Sequence, residues 1–245
     1  MIGSIVHRIH ETDSTNNYAA NQLLTKRPSD GSVFIADSQI VGRGQASNTW
    51  ESEPNMNLTF SILLYPDFLE ISRQFELSKT ISLGVADYLN EMTSNVCIKW
   101  PNDIYLQNRK VAGILIENSI RTNKIASSII GIGLNINQNK FVSDAPNPVS
   151  LSQITGHVYN LEESLSELCL KLDARYRQLK SGEFREIDED YSALLYLQGI
   201  WAPFSDENGD FEGRVLGVDA IGRLRIENKS GKINKYQFKE VTFRL

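Results

Sequence analysis

The chain is poor in the residues that several common chemistries need. It has two cysteines, Cys97 and Cys169, in 245 residues. That is neither a disulfide framework nor a metal-ligand spacing, and it reads as buried thiols in a reducing compartment. The three histidines, His7, His10 and His157, stand beside no candidate nucleophile, so no Ser/His/Asp or Cys/His pattern is present. No His-Glu-x-x-His and no Gly-Lys-Ser/Thr of a P-loop occurs. Basic side chains are outnumbered, 25 against 30 acidic, for a formal charge of -5; a nonspecific nucleic-acid binder would show the opposite balance. No apolar run reaches the ~18 residues of a membrane span. Residues 1–11 carry neither the basic nor the apolar region of a signal peptide. The expectation is a cytoplasmic protein with no nucleic-acid and no membrane partner.

What is present is an ordinary globular mixture, 41% hydrophobic and 22% charged, long enough for a large domain and a small one. Asp13-Ser-Thr-Asn16 clusters N-cap residues ahead of Tyr18, Ala19, Leu23 and Leu24, which predicts a helix from about Ser14 to the Pro28-Ser-Asp-Gly31 turn. Strands are expected at 32–37, 57–65, 96–100, 110–117 and 125–133, where runs are apolar and β-branched. Helices are expected at 72–92 and 161–180, each with a stripe of leucine, valine or tyrosine. Residues 38–57 hold glycines and amides and almost no aliphatics, so they read as a mobile loop. The acidic run 183–190 reads as the solvated face of another helix. Beyond Gly199 the texture changes to five glycines and short alternating runs, with Asn228-Lys-Ser-Gly231 as a hairpin turn. The prediction is an α/β (α+β) chain: a mixed sheet flanked by helices over 1–198, then a small five-strand barrel over 199–245.

Four constellations carry the polar chemistry. Gly42-Arg43-Gly44-Gln45 frees backbone N–H groups and adds a planar cationic fork, which suits a carboxylate or phosphate; it reads equally as a flexible surface turn. Lys99-Trp100-Pro-Asn102-Asp103 places polar groups at a strand end, where sheets present ligand groups; a proline-initiated turn explains it as well. Lys110 opens the apolar strand Val111–Ile116 and either snorkels outward or aims its charge into a site. Gly131-Ile-Gly-Leu-Asn135 puts two glycines in a strand, as close approach of a ligand or a bulge requires.

Taken in order, Asp13-Ser14-Thr15-Asn16, Gln39, Gly42-Arg-Gly44 with Trp50, Lys99-Trp-Pro-Asn-Asp103, Arg109-Lys-Val-Ala-Gly113-Ile-Leu-Ile-Glu117 and Gly131-Ile-Gly-Leu-Asn-Ile-Asn137 resemble the biotin protein ligases over nearly the whole chain. The resemblance is to the short form, without the N-terminal helix-turn-helix of the regulatory members, and it implies an SH3-like barrel for the tail. It also implies biotin–[biotin carboxyl-carrier protein] ligase activity. Biotin and ATP would give biotinyl-5′-AMP, with Mg2+, and biotin would then pass to a lysine of a biotin carboxyl carrier protein, such as an acetyl-CoA carboxylase subunit. No enzyme nucleophile is needed, in keeping with the missing triad.

Carried over residue by residue, the resemblance makes Lys110 and Arg43 the catalytic cations. It puts Ser14, Thr15, Asn16, Gln39, Gly42, Arg43, Gly44, Gln45, Lys110 and Gly113 around biotin. Lys99, Trp100, Asn102, Asp103, Asn135 and Arg244 fall to ATP, and no metal ligand is assigned. The loop departs from the arginine-rich family pattern at Gln45, Ala46 and Ser47, which bears on how firmly the adenylate is retained. A homodimer is a further expectation, since many members pair through the catalytic sheet. The rivals are a lipoate or octanoate ligase of the same fold, whose Arg-Arg-x-x-Gly-Gly-Gly stretch is missing, and a biotin-binding transcriptional regulator, for which no DNA-reading helix pair is seen.

Overall fold

The computed structural model describes residues 1–45, 48–143 and 146–244. Its larger sheet has seven strands: β1 (Val6–Thr12), β2 (Ser32–Gln39), β3 (Leu58–Leu64), β4 (Val96–Lys99), β5 (Asp103–Leu106), β6 (Arg109–Arg121) and β7 (Lys124–Leu134). They lie in the order β1-β2-β3-β7-β6-β5-β4. β1 runs parallel to β2 and the remaining pairs are antiparallel. Every residue of the central β3 is buried, because both faces of the sheet are covered. β6 and β7 form one long hairpin and lend the sheet its period-two alternation: Ile130 and Ile132 join the main core on one face, whereas Ile129 packs with Ala19, Phe34 and Leu63 on the other.

The helices account for the two covers. α1 (Thr15–Lys26) lies on the second face, with Ala19 fully buried. α2 (Gln74–Asn90), α4 (Leu161–Lys180) and α5 (Phe184–Leu194) cover the first. α2 and α4 pack closely at Gly84, where a Cβ would sit 2.8 Å from Leu172 Cδ2. A short α3 (Leu151–Thr155) starts from Ser150 and Gln153, which cap each other. The acidic run does form the exposed face of α5, but Asp188 pairs with the buried Lys79 of α2 and Asp190 with Arg175 of α4 at 2.5 Å. It ties helices together as well as facing water.

The tail forms five antiparallel strands as expected: β8 (Trp201–Asp206), β9 (Gly209–Val218), β10 (Leu224–Asn228), β11 (Ile233–Tyr236) and β12 (Val241–Phe243). Their hydrogen-bonded order is β11-β10-β9-β8-β12. Phe204 is fully buried against Phe211 and Phe243. The two sheets are joined where Trp100 Nε1 donates to Gly222 O at 2.8 Å. Gly222, at φ 91°, leaves space that Phe75 fills: a Cβ there would stand 2.6 Å from its ring. No helix among the described residues is long and apolar enough to cross a membrane.

The sequence reading set no bounds for β1, α3 or β5. Asp103 opens β5, opposite Lys99 and Gly113, where the sequence had left open a proline-initiated turn or a ligand-presenting strand end. Within 38–57 the loop makes backbone bonds of its own: Gly44 N donates to Asn48 O at 2.7 Å and Trp50 N to Gly42 O at 2.8 Å. Ala46 and Ser47 lie outside the described residues.

Candidate active site

A cleft of about 1100 Å³ opens over the α1 face of the sheet and reaches the tail. Its floor is made by what β6 and β7 lack. Gly113 and Gly133 are cross-strand partners, as are Leu115 and Gly131. A Cβ on Gly133 would lie 2.2 Å from Trp50 Cε2, and one on Gly131 would lie 2.4 Å from Asn16 Oδ1. The glycines therefore let the Trp50 indole and the Asn16 amide rest directly on the sheet.

The start of α1 supplies one wall. Ser14 is its N-cap residue in an extended conformation, but its hydroxyl makes no capping bond. Gln39 does that work from β2, its Oε1 accepting from Thr15 N at 2.8 Å. Ser61 Oγ stands 2.8 Å from Thr15 Oγ1 and donates to Asn16 Oδ1 at 2.6 Å. Asn16 Nδ2 donates onward to Glu117 Oε2 at 2.8 Å. The helix start is thus held by buried polar bonds, and Ser14, Thr15 and Asn16 all line the cleft.

Four cationic side chains line this space, Arg43, Lys99, Lys110 and Lys239, and the first three come from the motifs. Lys110 Nζ lies 2.7 Å from Asp103 Oδ1 and 5.7 Å from the centre of the Trp50 ring. Arg43 meets Glu117 through both terminal nitrogens, at 2.7 and 3.2 Å, and donates to Asn17 Oδ1 at 2.8 Å. Lys99 has no carboxylate within salt-bridge distance among the described residues. It donates to Tyr105 Oη at 3.1 Å and sits 4.9 and 5.0 Å from the Tyr105 and Phe243 ring centres. Burial lowers the Lys99 ammonium from its ordinary range, against the opposing pull of Asp103. Trp50 Nε1 and Gln45 Oε1 are buried with no hydrogen-bond partner among the described residues. An unmet buried donor or acceptor costs about 1–3 kcal/mol, so each offers a ligand atom a ready partner.

Most of the expected residues are brought together. Ser14, Thr15, Asn16, Gln39, Arg43, Gly44, Gln45, Lys99, Trp100, Asn102, Asp103, Lys110 and Gly113 all line the cleft. Three do not. Gly42 is turned against the Trp50 carbonyl. Asn135 is buried at 2% exposure, its Nδ2 donating to Val149 O at 3.1 Å and its Oδ1 without a partner among the described residues. Arg244 faces Asp210 at 3.6 Å, away from the cleft, although its neighbours Thr242 and Phe243 line it. Arg244 lies just beyond β12, which ends at Phe243. Asn102 lines the cleft but spends its amide on Ile114 O at 2.6 Å, fixing β6. The sequence reading assigned no role to Glu117, Asn17, Ser61, Tyr105 or Phe243. Glu117 was within reach, since it shares the face of Gly113 at a spacing of four along the strand.

Among known proteins, residues 9–135 match the biotin/lipoate A/B protein ligase family. The bifunctional ligase/repressor BirA of Bacillus subtilis is 30% identical over 226 residues, 91% of this chain and 69% of that protein. The chain belongs to this family. The biotin–[acetyl-CoA-carboxylase] ligase of Paracoccus denitrificans is 29% identical, over 90% of this chain and 93% of that protein. The biotin protein ligase of Aquifex aeolicus, solved with biotin and ATP, superposes with a TM-score of 0.81 at 28% identity, covering 98% of this chain and 99% of that one. Within the family, this chain is a biotin protein ligase.

Proposed function

We propose that the cleft forms biotinyl-5′-AMP from biotin and ATP, and that its cations divide the work. The reaction brings a carboxylate against an α-phosphate, so two anions must be held in contact. Lys110 is the catalytic point charge between them, at the strand edge over the glycine floor. Arg43 holds the biotin carboxylate. Lys99, in its aromatic box, faces the nucleotide phosphates, and Trp100 and Asn102 keep that wall in place. Ser14, Thr15, Asn16 and Gln39 surround the polar end of biotin, whose aliphatic chain lies along Gly113, Gly133 and the Trp50 indole. The observation that carries this reading is the convergence of Arg43, Lys99 and Lys110 on one glycine-floored cleft.

The described residues gather no group of three His, Cys, Asp or Glu side chains. Asp103 is the carboxylate lining the cleft, and one carboxylate with phosphate oxygens is an ordinary Mg2+ environment. The residues therefore fit an ion that arrives on ATP; Asp103 would hold it, and it would screen the phosphate charge. In the second step a lysine amine of a biotin carboxyl carrier protein attacks the adenylate carbonyl and AMP leaves. We further place the activity in the cytoplasm, with residues 1–198 as the catalytic domain and 199–245 as a second domain closing the nucleotide end through Phe243.

The test is incubation with ATP, Mg2+, biotin and a carrier domain. One biotinylated lysine should form per pyrophosphate released, and both Lys110→Ala and Arg43→Ala should slow it. Wild-type rates in both variants would overturn the assignment of roles.

A further inference from the structure

The cation assigned to the biotin carboxylate is already holding a carboxylate. Arg43 and Glu117 form a two-point ion pair at 2.7 and 3.2 Å, with the side chains 39% and 38% exposed. Glu117 has a second partner in Asn16 Nδ2, and Arg43 a second in Asn17 Oδ1. The pair therefore hangs between α1 and β6, with Arg43 lining the cleft. Each two-N–H edge of a guanidinium pairs with one carboxylate at a time, and Glu117 occupies the edge formed by the two terminal nitrogens of Arg43, so a substrate carboxylate docking on that edge competes with Glu117.

We propose that Glu117 is a positioning residue: it stands in for the biotin carboxylate in the empty cleft, parks Arg43 beside the α1 start, and surrenders it when biotin binds. This rests on Arg43 being the contact for the biotin carboxylate. Its consequence is that biotin binds against the Arg43–Glu117 pair, so the pair weakens affinity while keeping the cation in place. Partly exposed charge pairs are weak enough to be traded in this way. The change is an exchange of ionic partners, with no covalent bond made or broken.

The experiment uses equilibrium binding of two probes, biotin and biotinol, the neutral alcohol that lacks the carboxylate. Four proteins are compared: wild type, Glu117→Gln, Arg43→Ala and the double variant. Glu117→Gln should tighten biotin roughly two- to fivefold, the range that a weak ion pair allows, while biotinol changes less than twofold. In the Arg43→Ala background the same substitution should leave biotin affinity unchanged. In steady-state adenylation, Glu117→Gln should lower the KM for biotin and leave kcat within about twofold. If Glu117 only braced Asn16, its loss would weaken both probes alike with or without Arg43, and that result would overturn the proposal. Unchanged or weaker biotin binding in Glu117→Gln would do the same. If Arg43→Ala binds biotin like wild type, it is the underlying assignment of Arg43 that fails. Glu117→Ala should move biotin in the same direction as Glu117→Gln.

Discussion

Replacing Lys110 by alanine removes one ammonium from the edge of the glycine floor and leaves the rest of the cleft intact. In the structure the Lys110 side chain is 23% exposed, and its ionic partner is Asp103 at 2.7 Å. Breaking so accessible a pair should shift stability by about 1 kcal/mol or less, or a few degrees in Tm for a chain of this size. The effect on chemistry should be much larger. As the carboxylate closes on the α-phosphate, negative charge concentrates beside Nζ, and a fixed cation then stabilises the transition state more than bound biotin. Loss of one preorganised electrostatic partner slows reactions roughly 10²–10³-fold, or about 2.7–4 kcal/mol. Single-turnover pyrophosphate release at saturating ATP and biotin reads that step directly. Lys110→Arg should recover only part of the rate, because a planar fork does not reproduce a point charge. An adenylation rate within a few-fold of wild type in Lys110→Ala, with Tm unchanged, would refute the reasoning and shift the central role to Arg43.

The other predictions concern the floor, the helix interface and the thiols. Gly133→Ala places a Cβ where Trp50 Cε2 now lies 2.2 Å away; the indole must lift, tryptophan fluorescence should shift, and biotin affinity should fall about tenfold or more, the equivalent of roughly 1.4 kcal/mol or more. Lys79→Met strands Glu76, which is 4% exposed, and should destabilise the fold by about 3–5 kcal/mol in denaturant titrations. Burial raises the Glu76 carboxyl above its ordinary value and Lys79 opposes the rise. Without Lys79 the carboxyl is held neutral to higher pH, so the loss should be smaller near pH 4 and grow as pH rises through the raised value. Burial also pushes the Cys97 thiol up to about 11, so iodoacetamide should label it slowly at pH 7 and faster as pH approaches that value; rapid labelling of the native protein at pH 7 would contradict this.

The long periodic segments were legible because burial enforces them. α4 was expected at 161–180 and forms at Leu161–Lys180, where its stripe of leucines packs on α2. The lining of the cleft was legible at Arg43, Lys110 and the paired glycines, motif residues that the fold brings together around one space. What stayed hidden depends on tertiary pairing. The partner of Arg43 lies 74 residues away in Glu117, and that of Trp100 lies 122 away in Gly222. Spacing along the chain carries no trace of either. Asn135 shows the reverse failure: a motif residue whose amide serves the Val149 carbonyl instead of the cleft. Arg244 likewise sits one residue beyond the side chain, Phe243, that does reach the site.

The most direct measurement offers biotin, lipoate and octanoate in turn with ATP and Mg2+ and follows pyrophosphate release in wild type and in Gly133→Ala. A floor of bare backbone under Trp50, walled by the polar start of α1, should make biotin the strong substrate. The two acids without its polar ring system should be turned over at least tenfold more slowly, and Gly133→Ala should raise the KM for biotin. Equal rates with all three acids, or a Gly133→Ala enzyme that handles biotin like wild type, would contradict the placement of biotin in this cleft.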